Sequence, residues 1–108
     1  MSKLMGDAMA STPESKVKKR VREMLDKLGI YHFMPPANGF GRAGIPDIIA
    51  CMDGHFIAIE CKAGSGKTTA LQDLELNRIH NAGGTTYIAR ETNIDELQQL
   101  LREKRSGL

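Results

Sequence analysis

Residues 44–62, GIPDIIACMDGHFIAIECK, leave the chain little conformational choice. Two β-prone apolar runs, 45–52 and 55–62, flank Asp53-Gly54, the dipeptide that most strongly signals a two-residue hairpin turn. With Asp53 and Gly54 as the turn, Met52 pairs with His55 and, further out along the strands, Asp47 faces Glu60. Directly opposed residues of antiparallel strands share a face, with Cβ atoms about 4.5–5.5 Å apart. Lys62, two residues beyond Glu60, shares that face as well. Two carboxylates and an amine therefore converge at one end of an otherwise apolar hairpin.

Like charges opposed across a sheet destabilise it, and neighbouring carboxylates raise one another's pKa unless a cation lies between them. A hard divalent cation such as magnesium resolves that conflict, because it takes oxygen ligands from one or two carboxylates and keeps several waters. Taken singly, the residues admit a plainer account: an Asp after a Pro at a strand start, and a solvated Glu and Lys at a strand end. Their shared register favours a metal site. Both faces of the hairpin are apolar, with Ile48, Ala50, Ile57 and Ile59 on one and Ile49, Cys51, Phe56 and Ala58 on the other. Such a sheet needs covering layers on both sides, which predicts an α/β sandwich.

The flanking segments supply those layers. Residues 1–11 are Met-rich and aperiodic, and read as a disordered or loosely docked arm ahead of a single domain over 12–105. Thr12 as N-cap, Pro13 at the first helical position, Glu14 in the first turn and Gly29 as the stop define a helix. Its Val17, Val21, Met24, Leu25 and Leu28 fall in an arc of about 100°. The basic run Lys16, Lys18, Lys19, Arg20 and Arg22 lies mostly outside that arc, as a solvated face or as a set of phosphate contacts. Glu14 projects inside the apolar arc, so it either complements the helix dipole or reaches the same cation as Asp47 and Glu60.

After a short β-prone segment, 30–34, comes the glycine-rich stretch ANGFGRAG, 37–44. It can approach a phosphate backbone closely, with Arg42 as donor and Phe40 as a stacking surface. A helix over 69–82 carries Leu71, Leu74, Ile79 and Ala82 on one face, with Gln72 at its edge. Residues 85–90 form a β-branched strand, and Thr92 or Asn93, the latter with Glu96 as a capping box, caps a last helix whose core residues are Ile94, Leu97, Leu100 and Leu101. The order is α-β-β-β-α-β-α.

One attractive motif fails. GSGKTT after a strand looks like a phosphate-binding P-loop, but the pattern requires glycine where Cys61 stands. Residues 64–68 read instead as a flexible basic connector whose Lys67 touches substrate phosphate, and no nucleotide cofactor is expected. At 108 residues and 26% charged, with a net charge of +2, the chain suits one compact core and permits nucleic acid without demanding it. Cys51 and Cys61 point to opposite faces and read as buried thiols of a reducing compartment. With neither a signal-peptide run nor a membrane-length apolar stretch, a cytoplasmic protein is expected, without membrane partners.

Pro46-Asp47, a hairpin, then Glu60-Cys61-Lys62 resembles the PD-(D/E)xK nuclease signature, and the element order resembles that superfamily's restriction-endonuclease-like core, a central mixed sheet with helices on both faces. GRAGIPDII, Glu14, IECK and Gln72 together resemble the stand-alone, phage- or bacterium-type VRR-NUC branch across nearly the whole chain, which implies the cytoplasm of a bacterial or phage-infected host cell. The resemblance implies that Asp47, Glu60 and the main-chain carbonyl of Cys61 hold Mg2+ or Mn2+, with Glu14 as an additional ligand. It implies that Lys62 orients the attacking water or stabilises the transition-state charge, and that Gln72 supports the site. It further implies a homodimeric endonuclease acting on branched DNA such as Holliday junctions, with Arg42, Lys67, Lys18 and Arg22 as nucleic-acid contacts. The competing expectation is a non-catalytic nucleic-acid-binding or regulatory domain of the same fold.

Overall fold

The structure, a computed structural model, describes residues 12–36, 42–105 and 107. The arm expected over 1–11 and the stacking surface expected at Phe40 lie outside the described residues. Helix α1 (Pro13–Lys27) is followed by strands β1 (Tyr31–Phe33), β2 (Ile48–Met52) and β3 (His55–Cys61), helix α2 (Ala70–Asn81), strand β4 (Thr85–Ala89) and helix α3 (Ile94–Arg105). The strands form one mixed sheet in the order β1-β2-β3-β4, with β1/β2 and β2/β3 antiparallel and β3/β4 parallel. This is the α-β-β-β-α-β-α architecture expected from the sequence.

The hairpin follows from its turn. Asp53 and Gly54 both adopt left-handed backbone angles, φ 52° and 84°, which only a mirror-image two-residue turn requires and which Asp-Gly tolerates. The turn places Met52 opposite His55 and Ile48 opposite Ile59. One face of the sheet then presents Ile48, Ala50, Met52, Ile57, Ile59 and Cys61 to Val17, Val21, Met24 and Leu25 of α1 and to Ile94, Leu97 and Leu101 of α3. Each such aliphatic side chain contributes about 1.5–3 kcal/mol on burial.

The opposite face differs from expectation. Helix α2 covers the Ala58 and Glu60 end, while Cys51 is exposed and Phe56 is 47% exposed. Leu71 and Leu74, expected in the core, are 52% and 51% exposed. The inward face of α2 is Gln72, Glu75, Leu76 and Ile79, a helical repeat of three, four and seven residues in which two members are polar. Apolar pattern alone therefore rotated the helix away from its packed orientation. Between α2 and the uncovered sheet runs an open groove of about 660 Å3 that includes Phe33, Ile49, Phe56 and Ile79.

Two further local expectations change. Asn93 does not cap α3 with Glu96: its Oδ1 accepts from Arg90 N–H at 2.7 Å, its Nδ2 donates to the Ile88 carbonyl at 2.9 Å, and Glu96 accepts from the Tyr87 hydroxyl at 2.6 Å. Asn93 thus ties the corner between β4 and α3. The connector before α2 is also fastened. Arg90 Nη1 donates to the carbonyls of Gly64 at 2.9 Å and Gly66 at 2.7 Å, and Gly64 N–H donates to Glu91 Oε1 at 2.9 Å. A phosphate cradle needs free N–H groups facing inward; this loop spends one on a carboxylate and turns two carbonyls to a guanidinium. Among the described residues, no helix is long and apolar enough to cross a membrane.

Candidate active site

The carboxylates gather where β2 begins and β3 ends. Asp47 lies one residue before the last ladder pair, and its side chain takes over where the strand backbone leaves off: Oδ2 accepts from Cys61 N–H at 2.8 Å. Glu60 is 1% exposed, under α2. Glu14 arrives from the first turn of α1, and one carboxylate oxygen from each of Glu14, Asp47 and Glu60 lies within 4.8 Å of the others. The helix-dipole account of Glu14 is therefore insufficient by itself, since the residue also faces two other acids.

Glu60 is held on one oxygen only. Gln72 Nε2 donates to Oε2 at 3.0 Å, and Lys62 Nζ stands 3.7 Å from the same atom. The other end of the Gln72 amide is committed to the helix: its Oε1 accepts from Thr69 N–H at 2.9 Å while the Thr69 hydroxyl accepts from Gln72 N–H at 3.2 Å, a reciprocal capping box. With both ends of the amide engaged, the orientation of Gln72 is set. Glu60 Oε1 is left buried with no hydrogen-bond partner among the described residues. A buried carboxylate oxygen without a partner costs about 1–3 kcal/mol or more, so the arrangement asks for a cation.

Protein cations meet only part of that demand. Lys18, one turn after Glu14 on α1, places Nζ 3.4 Å from Asp47 Oδ1, and Lys62 stands at Glu60. Among the described residues, two ammonium groups face three carboxylates. Burial first, then the charge of neighbouring Asp47, push the Glu60 carboxyl up to about 7, against the opposing pull of Lys62. The donor set, hard oxygens with one left unsatisfied, fits Mg2+ or Mn2+. The Cys61 thiol suits such an ion poorly: burial and the nearby carboxylates hold it protonated, up to about 12.

Of the residues singled out from sequence, Asp47, Glu60, Glu14, Lys62, Gln72 and Lys18 come together here, with the backbone of Cys61 between them. Arg22 and Lys67 are exposed, on α1 and in the connector before α2. Arg42 is drawn to Glu75, to which its Nη1 donates at 3.3 Å. Glu75 was not legible as a site residue. The signal was its three-residue spacing from Gln72, obscured because an acidic residue on a soluble helix ordinarily faces water.

Residues 13–105 match the family described as archaeal Holliday junction resolvase (hjc). No curated protein matches at a significant level.

Proposed function

The chain belongs to the archaeal Holliday junction resolvase family, a PD-(D/E)xK-type nuclease family, and from that membership we propose that it is a divalent-metal-dependent, structure-specific endodeoxyribonuclease hydrolysing phosphodiesters in branched DNA. The observation that carries the mechanism is the buried Glu60, clustered with Asp47 and Glu14 and with one carboxylate oxygen unpartnered among the described residues. These three carboxylates, with the main-chain carbonyl of Cys61, would hold Mg2+ or Mn2+. The ion supplies a lowered water pKa and charge compensation on the phosphoryl oxygens. Gln72 engages Glu60 Oε2 and leaves Oε1 without a hydrogen-bond partner among the described residues. Lys62, almost buried and held beside Glu60, orients the attacking water and offsets charge developing on the phosphoryl group.

Lys18 carries its ammonium to the rim of the same centre, and Arg22, Lys67 and the exposed side of Arg42 extend the basic surface along which a phosphate backbone would lie. Such contacts position DNA without reading its sequence, so selectivity comes from the shape of the branch. Residues 12–105 act as one nuclease unit, and the resemblance of the GIPD and IECK segments supports a relation to the VRR-NUC branch of the superfamily. Symmetric incision of a junction needs two centres, so the acting form is a homodimer.

The test is incubation with four-way-junction, flap and linear duplex DNA in Mn2+, Mg2+ or EDTA. Branched substrates are cut in either metal and spared in EDTA, and Asp47→Ala and Lys62→Ala are folded but inactive. Cleavage that survives EDTA, or persists in those variants, would sink the mechanism; junction binding without cleavage would establish the non-catalytic reading instead.

A further inference from the structure

Glu75 is 6% exposed on the inward face of α2, yet it lies outside the cluster just described. Its Oε2 accepts from Arg42 Nη1 at 3.3 Å and stands 3.6 Å from Arg78 Nη1. Arg42 belongs to the segment leading into Asp47, and Arg78 to α2 itself. A carboxylate buried to this degree is stable only when paired, and its cross-element partner is Arg42.

The same segment touches α2 a second time. Gly44 has φ +82°, and a Cβ there would lie 2.4 Å from the Leu71 carbonyl oxygen and 2.8 Å from Gln72 N. Backbone packs on backbone at the first turn of α2, a contact that only glycine permits. Three residues later the chain reaches Asp47, and the helical residue at the contact is Gln72, which holds Glu60. The distance between Asp47 and Glu60 is thus set from two sides: through the β2/β3 ladder, and through the segment 42–46 fastened to α2.

We propose that Arg42 and Glu75 form a clamp that, with the Gly44 contact, fixes the approach of Asp47 to the Gln72-held Glu60 and so sets the cation affinity of the centre. Glu75 and Arg42 are positioning residues in this account, acting through Asp47 and Gln72. The inference rests on the metal-nuclease reading for its chemistry. Its structural content, the coupling of Arg42 to the acidic cluster, is separable from that reading.

Mn2+ binding to the DNA-free protein, by calorimetry, is the primary readout. Arg42→Ala keeps Arg78 beside the buried Glu75, so the chain stays folded, which circular dichroism checks, while its Mn2+ affinity falls about 10- to 100-fold, as for supporting residues of metal sites generally. Glu75→Gln, which keeps an oxygen acceptor, shows a smaller loss. The double variant binds Mn2+ no more weakly than Arg42→Ala alone, because both changes open one contact. In turnover on junction DNA, the loss in Glu75→Gln, which touches no DNA, falls on kcat while KM moves little. Unchanged Mn2+ affinity in Arg42→Ala, with a raised KM and a salt dependence of DNA binding shallower by about one, would overturn the clamp and make Arg42 a phosphate contact only. Wild-type protein that binds no Mn2+ would overturn the metal-nuclease reading and the clamp's role in affinity together.

Discussion

Glu60 combines burial, an adjacent acid and an unpaired oxygen in one side chain, and its titration follows. Its carboxyl rises from 4.5 to about 7, chiefly through burial and then through Asp47. In this pH interval the folded, metal-free chain binds a proton that the unfolded chain has released, so stability declines as pH rises from about 4.5 to about 7 and is level above. The span corresponds to roughly 3 kcal/mol at most. Glu60→Gln, which mimics the protonated acid, is expected to melt at a higher temperature than wild type at pH 8, with the gap closing toward pH 5; melting of both metal-free proteins across that range checks it. Cation binding needs the ionised acid, so wild-type Mn2+ affinity should rise up to about tenfold per pH unit below 7 and then flatten. A flat profile from pH 5 to 8 would refute the assignment of Glu60.

At the scale of elements, α2 links helix formation to the site through one amide. Thr69→Ala removes the capping hydroxyl and should cost about 1 kcal/mol of stability with Mn2+ affinity nearly unchanged. Gln72→Ala removes the cap's reciprocal bond and the donor to Glu60, so it should also lower Mn2+ affinity about tenfold or more. Equal losses of affinity in the two variants would show that the helix terminus, rather than the Gln72 amide, supports Glu60. This helix is also where sequence reading failed. Leu71 and Leu74 drew the apolar face to the wrong side because α2 meets the sheet where Glu60 emerges, and there the packed layer needs Gln72 and Glu75 as partners for charge. In α1 the charged partners Glu14 and Lys18 lie near its start, and the stripe of Val17, Val21, Met24 and Leu25 packs as its period indicates.

At the scale of the whole molecule, the described residues leave part of one sheet face uncovered. Phe33, Met34, Phe56, Leu71 and Leu74 are 43–52% exposed, and Phe33 and Phe56 line the groove at α2; an exposed apolar groove of this kind marks an interaction site. If a second copy covers it, sedimentation will give twice the chain mass, and Phe56→Glu or Leu74→Glu will give monomers that still bind Mn2+ but nick one strand of a junction instead of cutting two. A wild-type monomer at micromolar concentration would exclude this arrangement. By itself the sequence determined the hairpin, its register and the order of elements, because Asp-Gly geometry and strand alternation act over a few residues. Only the tertiary structure decided that Glu14 and Lys18 reach Asp47, that Gln72 leaves one Glu60 oxygen unpaired, and that Arg42 turns to a buried Glu75. Those outcomes depend on the angle at which each helix meets the sheet, and that angle is set by packing among residues distant in the chain.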